Sequence, residues 1–390
     1  MGRTLVSIIS AQAVPNYVFI KDFLNEGDKL LFFTSSSPNM NKSLDYILST
    51  LNISKDDVTV KPLSEESWPQ MCKEIETTIE PGGEYLVNTT GGTKYMSMAV
   101  SEIFEKHGNA SFLYIPYPKN VYLKTNGETI QIKHRVSIKE YMGITKGVEY
   151  SVKKCTQERD YVFRLFDYYQ EMTREELDIL EKIRTNFRAQ KCTIDDVAEV
   201  SNGATHKITN HGKSKEKRYD FEQIENLDNF LKKIEFPCKT ENKLSKEEIE
   251  FLTGGWFEEY MYYLIEEKIE PDDIELGVFI KQSINTNTND LDVVFTKGNK
   301  LYVIECKTAI SGTAYMGEES MFKEISYKAA TLKATLLGLP SNSYICSLSE
   351  SDERFKSIAK NMGIIYYDRS YFTEPDKLDN FLKDIIKQAY

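Results

Sequence analysis

Residues 291–308, L-D-V-V-F-T-K-G-N-K-L-Y-V-I-E-C-K-T, decide how the rest of the chain is read. Two runs rich in β-branched and aromatic residues flank Lys297-Gly298-Asn299-Lys300, and a Gly-Asn pair between such runs predicts a two-residue β-hairpin. A turn centred on Gly298-Asn299 sets Asp292 directly opposite Glu305. Side chains alternate along a strand, so Glu305 and Lys307 project from one face, the face that also carries Asp292. Carboxylates so opposed have Cβ atoms about 5 Å apart and repel. A bound divalent cation is the simplest compensation, which makes this a metal site with an ammonium beside it. The competing reading is a hairpin with one wet, charged face, where Asp290 pairs with Lys307 and Glu305 meets water. Leu301, Val303 and Ile304 make the second strand apolar on both faces, which sets Glu305 at the end of a buried strand and favours the metal.

The bulk numbers bound the rest. At 390 residues the chain can hold two or three domains with proper cores. Its 41% hydrophobic and 28% charged residues are ordinary for a soluble protein, and a net charge of −11 argues against a basic coat for gripping duplex DNA. Any nucleic-acid site must be local, or made positive in part by metal. The six cysteines form no C-x-x-C pair and no zinc spacing, so reduced thiols and a cytoplasmic setting are expected. No signal peptide is recognisable, and no apolar run approaches the ~20 residues of a membrane span, so no membrane partner is expected.

Residues 1–145 alternate apolar runs with helical stretches. Strands are predicted at residues 4–10, 29–34, 58–63, 84–88 and 110–116, with a hairpin at 121–133 turned by Asn126-Gly127. This pattern predicts a doubly wound, mostly parallel sheet, in which ligands bind beyond the carboxyl ends of the strands. Those ends carry Ser10-Ala11-Gln12, Thr34-Ser35-Ser36 and Asn88-Thr89-Thr90-Gly91-Gly92-Thr93-Lys94. The last is a Thr/Gly-rich turn opening a helix with Lys94 in its first turn, a combination of N–H donors and a cation that suits phosphate. It lacks the patterns of dinucleotide folds and P-loops, so neither NAD nor ATP is indicated. A plain glycine-rich turn with Thr93 as helix cap explains the same residues without a ligand.

In this setting N-T-T-G-G-T-K-Y at residues 88–95 resembles the ligand loop of CARF domains, the CRISPR-associated Rossmann fold. The resemblance implies a homodimer that binds a cyclic oligoadenylate across its two-fold axis. By motif match Thr90, Gly91, Gly92, Thr93 and Lys94 line the ring phosphates and riboses, joined by Asn88. Ser10, Ala11, Gln12, Thr34, Ser35 and Ser36 follow from their strand-end positions.

Residues 146–245 read as a connector of mainly helical segments, with helices at 161–169 and 174–188 and a short one at 193–200. Residues 206–218 carry Lys207, Lys213, Lys215, Lys217 and Arg218 against Glu216 alone, and are either part of a DNA-binding helix-turn-helix or a solvated loop.

Residues 246–390 contain a helix beginning near Gly254. At 100° per residue Glu258 shares a face with Met261, Ile265 and Ile269, while Glu259 goes with Glu266 and Glu270. Glu258 is therefore expected to point inward and Glu259 to face water. Glu258, Asp292 and Glu305-Cys306-Lys307 together resemble the PD-(D/E)xK restriction-endonuclease-like fold, although Leu291 stands where that pattern often has proline. A long helix at 318–337 and a strand at 343–346 continue the expected core. The resemblance implies that Asp292, Glu305 and the carbonyl of Cys306 bind Mg²⁺ or Mn²⁺, and that Lys307 orients or deprotonates the attacking water.

A CARF domain followed by such a nuclease domain resembles the ancillary effector nucleases of type III CRISPR defence. The expectation is a homodimeric, metal-dependent endonuclease, activated by a cyclic oligoadenylate (cyclic tetra-adenylate by family) and cutting single-stranded DNA or RNA. The alternative is a ligand-controlled transcription regulator that binds DNA through residues 170–235. A HEPN-type ribonuclease needs an arginine and a downstream histidine separated by four to six residues, and His107, His134, His206 and His211 all lack such an arginine.

Overall fold

A computed structural model describes residues 2–35, 38–107, 109–116, 119–146, 150–184, 197–199, 205–210, 213–218, 224, 226–238, 243–280, 289–308, 342–349 and 353–389. The first sheet contains β1 (Thr4–Ile8), β2 (Lys29–Thr34), β3 (Thr59–Pro62), β4 (Tyr85–Asn88), β5 (Ala110–Tyr114), β6 (Val121–Lys124) and β7 (Thr129–Gln131). Its strand order is β3-β2-β1-β4-β5-β6-β7. The first five strands are parallel, and β6 and β7 are antiparallel additions. Parallel strands covered on both faces read as unbroken apolar runs. Leu30, Leu31, Phe32 and Phe33 of β2 are accordingly all buried.

Helices α1 (Val14–Phe23), α2 (Pro38–Leu51), α3 (Trp68–Glu76), α4 (Lys94–His107) and α5 (Ile138–Lys146) cover this sheet. Tyr17 and Val18 of α1, Leu44 and Ile47 of α2 and Tyr141 of α5 share one core. Met71 and Ile75 of α3 and Met96, Val100 and Phe104 of α4 form the core on the other face.

The second half uses β8 (Tyr150–Lys153), α6 (Arg159–Glu171), α7 (Arg174–Ile183), β9 (Val197–Glu199), β10 (Thr205–Asn210), β11 (Lys213–Arg218), α8 (Leu227–Lys233), β12 (Lys243–Ser245), α9 (Lys246–Glu250) and α10 (Trp256–Ile269). Then come β13 (Asp273–Ile280), β14 (Asn289–Lys297), β15 (Lys300–Lys307), β16 (Asn342–Ser347), β17 (Ile365–Tyr367) and a last helix, Pro375–Ala389. The main sheet runs β17-β16-β15-β14-β13-β8, so β8, from the stretch read as connector, is its edge strand. Helix α6 also joins the core of this half, where Phe166 stacks on Tyr260 of α10 with centroids 3.9 Å apart.

Two expectations for the middle of the chain change. Val197–Glu199 is a strand paired with Lys243–Ser245, where a helix was expected. The basic stretch is neither helix-turn-helix nor loop: β10 and β11 form an antiparallel hairpin, with Ile208 opposite Lys215. Its lysines at 213, 215 and 217 recur with the strand period of two. The helix expected at 318–337 lies outside the described residues. No described helix is long and apolar enough to cross a membrane.

Candidate nuclease centre and ligand loop

The hairpin forms in the predicted register. Pairing runs from Lys297↔Lys300 to Val293↔Ile304, and Gly298 and Asn299 turn the chain with φ of +58° and +61°. Two positive φ values in a two-residue loop match the right-handed twist of the strands. On its other side β15 pairs in parallel with β16, which places Glu305 beside Ile345 and Lys307 beside Ser347. Strand β15 is thus interior to the sheet, and Glu305 lies at its buried end, 4% exposed.

Asp292, 6% exposed, accepts the Cys306 N–H at 2.7 Å. The Lys307 ammonium lies 2.8 Å from Glu305 Oε1 and 3.7 Å from Asp292 Oδ2. The wet-face reading therefore fails, because Glu305 is buried and Lys307 bridges the two carboxylates. Burial, reinforced by the Glu305 charge, pushes the Asp292 carboxyl well above its ordinary range, and Lys307 only partly opposes this. Burial favours the neutral amine of Lys307, yet Asp292 and Glu305 outweigh it and hold the group as an ammonium, well above a normal lysine. Two buried carboxylates under strain from each other, with oxygens as the donors, fit a hard divalent cation. Among the described residues no three His, Cys, Asp or Glu side chains converge on one point. The Cys306 thiol is buried and pushed well above its normal range, which makes it an inert packing group.

Helix α10 reverses one expectation. Glu259 is the buried glutamate, 3% exposed, and Glu258 is only partly covered. Glu259 accepts Thr156 N–H and Oγ1–H at 2.8 and 2.7 Å on one oxygen and Gln157 N–H at 3.1 Å on the other. The helix is buried nearly all round, by Trp256, Phe257, Tyr260, Met261, Leu264 and Ile265, so no polar stripe exists to sort the two residues. Glu258 lies near enough for its charge to act on Asp292 and Lys307, but it does not converge with Asp292 and Glu305 on one point. Sequence reasoning passed over Lys153, whose ammonium lies 3.9 Å from Glu258 Oε2. Nothing in Y-S-V-K announces a strand, and only its pairing with β13 brings it here.

The second site lies where the first sheet reverses its order, between β1 and β4. Asn88 and Thr34 are buried, and Ser35 lies 9% exposed at the end of β2. The Asn88 amide donates to Ser7 Oγ and Asn16 Oδ1, both at 3.3 Å, and its oxygen accepts the Thr90 N–H at 3.1 Å. Thr90 Oγ1 accepts the Ile115 N–H at 2.9 Å. Asn88 and Thr90 thus brace the loop from beneath. Gly91 lies so close to β1 that a Cβ there would come within 1.9 Å of the Ile8 carbonyl oxygen. Gly92, with φ of +75°, turns the chain outward. Thr93 Oγ1 accepts the Met96 N–H at 3.2 Å and caps α4. Thr93 and Lys94 are exposed at the rim with Ala11 and Gln12, and Ser10 Oγ accepts the Gln12 N–H at 3.2 Å. Ser36 lies outside the described residues.

Residues 4–141 match the Card1 CARF domain, and residues 245–387 match the Card1-like endonuclease domain. This is a CARF–endonuclease protein. Its fold is similar along nearly the whole chain to protein VC1899 from Vibrio cholerae, with a TM-score of 0.74 at 16% identity, covering 99% of this chain and 98% of that one. Can2 from Sulfobacillus thermosulfidooxidans, solved with cyclic tetra-adenylate, gives 0.66 at 17% identity, covering 100% and 99%. A type III CRISPR defence DNA nuclease activated by cyclic oligoadenylate gives 0.50 at 14% identity, covering 98% of this chain but 52% of its own. No match is found among curated proteins.

Proposed function

We propose that this CARF–endonuclease protein is a homodimeric, metal-dependent nuclease of type III CRISPR defence that hydrolyses single-stranded DNA or RNA when a cyclic oligoadenylate occupies the loop around residues 88–94. The carrying observation is the buried Asp292–Lys307–Glu305 cluster at one end of a hairpin whose other end is seated in the CARF domain. Asp292, Glu305 and the Cys306 carbonyl would hold Mg²⁺ or Mn²⁺. The bound ion would supply charge stabilisation on the scissile phosphate. Lys307, whose ammonium lies 2.8 Å from Glu305 Oε1, would orient or deprotonate the attacking water. Hydrolysis of this kind uses no 2′-hydroxyl, and selection between DNA and RNA falls to the cleft.

Cyclic tetra-adenylate is the favoured activator, on the model of the Can2 complex. Thr93, Lys94 and the α4 N-terminus supply the exposed cation and donors for its phosphates, while Gly91 and Gly92 let the loop pack closely against Ile8 at the end of β1. An effector of this sort works by binding the cleavage-competent arrangement more tightly than the resting one. The test is cleavage of labelled single-stranded DNA and RNA in Mn²⁺ or Mg²⁺, with cyclic tetra-adenylate, cyclic hexa-adenylate or neither. The reading expects cutting only with ring and metal together. Binding of the ring without any cutting would contradict it.

A further inference from the structure

The β8–β13 pairing is irregular in a way that serves one side chain. Leu276 pairs with Lys153 and Phe279 with Ser151, so three steps on β13 match two on β8 and the register shifts between them. Such a bulge re-aims the side chains around it. Gly277 sits in the bulge with φ of +58°, and a Cβ on it would fall 2.6 Å from Lys153 Cδ and 2.7 Å from Cγ. The missing side chain is the slot through which the lysine stem runs. Beyond the slot the ammonium passes 5.4 Å from the centroid of Phe279 and ends 3.9 Å from Glu258 Oε2. The neighbouring Val152 is exposed on the surface.

Two lysines therefore pair with carboxylates in this half of the chain. Lys307 is shared by Asp292 and Glu305, and Lys153 faces Glu258. Lys307 comes from the catalytic hairpin itself. Lys153 comes from the first strand after α5, the last helix of the CARF half.

We infer that Lys153 is a positioning residue of the nuclease centre, which holds Glu258 and opposes cation entry. The inference rests on the proposed metal-dependent nuclease. The physical reason is direct. An ammonium fixed beside Glu258 repels an incoming divalent ion and competes for that carboxylate. Its reach is modest, because the side chain is 42% exposed and water screens it.

The test is calorimetric titration of Mn²⁺ into the full-length protein, without ring or nucleic acid, for wild type, Lys153→Met, Lys153→Arg and Glu305→Gln. Lys153→Met keeps the stem in the Gly277 slot and removes the charge. It should bind Mn²⁺ about threefold to fivefold more tightly than wild type, the size expected of a partly exposed charge pair. Lys153→Arg should restore wild-type affinity, which a packing role for the stem alone would not require. The gain should shrink as salt rises toward 0.5 M, where screening shortens. Unchanged or weaker binding by Lys153→Met would overturn the inference while leaving the metal site intact. Glu305→Gln should lose Mn²⁺ binding by more than about tenfold. If it titrates like wild type, the metal reading fails, and the inference with it.

Discussion

The side-chain oxygen of Asn299 accepts the Val136 N–H at 2.9 Å. The same amide donates to Asn120 Oδ1 at 2.9 Å and to the His134 carbonyl at 3.2 Å. Asn299 is the second turn residue of the hairpin that carries Asp292 and Glu305, while Asn120, His134 and Val136 belong to the CARF half. Two residues past Val136, the Ile138 N–H at the start of α5 donates to Asp273 at 2.8 Å. Val278, Ile280, Leu291, Val294 and Leu301 of the second sheet share a core with α1, α2 and α5. The hairpin is thus held at its turn by the CARF domain, with Asp292, Glu305 and Lys307 toward its far end.

Asn299→Gly keeps the positive φ that the turn needs and removes the three hydrogen bonds. Val136 N–H is left buried, which should cost about 1–3 kcal/mol of stability, read by denaturant unfolding. Metal-dependent cleavage should survive with a weaker response to the ring. Full ring stimulation in this variant would show that the turn is not a coupling point.

Asp292 should trade stability for function. Its folded-state proton affinity lies above the ordinary value, so its contribution to stability is full below the unfolded pKa and is lost as pH rises through the folded one. At neutral pH the charged form is a burden on the metal-free protein. Asp292→Asn keeps an acceptor for the Cys306 N–H and removes the repulsion from Glu305. The metal-free variant should melt higher than wild type by roughly 2–4 °C at pH 8, with the difference vanishing near pH 4. Mn²⁺ should stabilise wild type and leave the variant unmoved.

Lys307→Met leaves Asp292 and Glu305 facing each other in a buried site. Mn²⁺ affinity should hold or rise, while cleavage falls by about 10²–10⁴-fold if the ammonium orients the water. A loss of Mn²⁺ binding equal to the loss of rate would assign Lys307 to metal-site structure instead.

Gly91→Ala sets a methyl group against the Ile8 carbonyl. Packed backbone cannot yield by that much, so the loop must move, at about 1–3 kcal/mol. Ring binding should be lost, while Mn²⁺ binding at the hairpin is untouched.

How much of this was legible follows from which interactions are local. The hairpin register could be read from Gly298-Asn299 and its flanking runs, and with it the Asp292–Glu305–Lys307 grouping. The parallel strands could be read from apolar runs such as Lys29–Thr34, found at their expected limits. The roles of Glu258 and Glu259 could not, because both depend on distant partners: Thr156 and Gln157 for one, Lys153 for the other. Helical periodicity sorts residues only when a helix has one wet side, and α10 hardly has one. The basic hairpin was missed because its period of two lies in lysines rather than in apolar residues. Asn88 reads as a ligand contact by motif, yet it is spent on Ser7, Asn16 and Thr90, a network that only the fold assembles.

The most direct measurement is single-turnover cleavage of a labelled single strand by the full-length protein in Mn²⁺, with and without cyclic tetra-adenylate, for wild type and Glu305→Ala. The account predicts a cleavage rate that rises at least about tenfold with the ring and disappears in the variant at every ring concentration. A rate that ignores the ring would keep the nuclease and remove its control by the CARF domain. Cleavage that persists in Glu305→Ala would contradict the central claim, because the chemistry would then lie somewhere other than the hairpin.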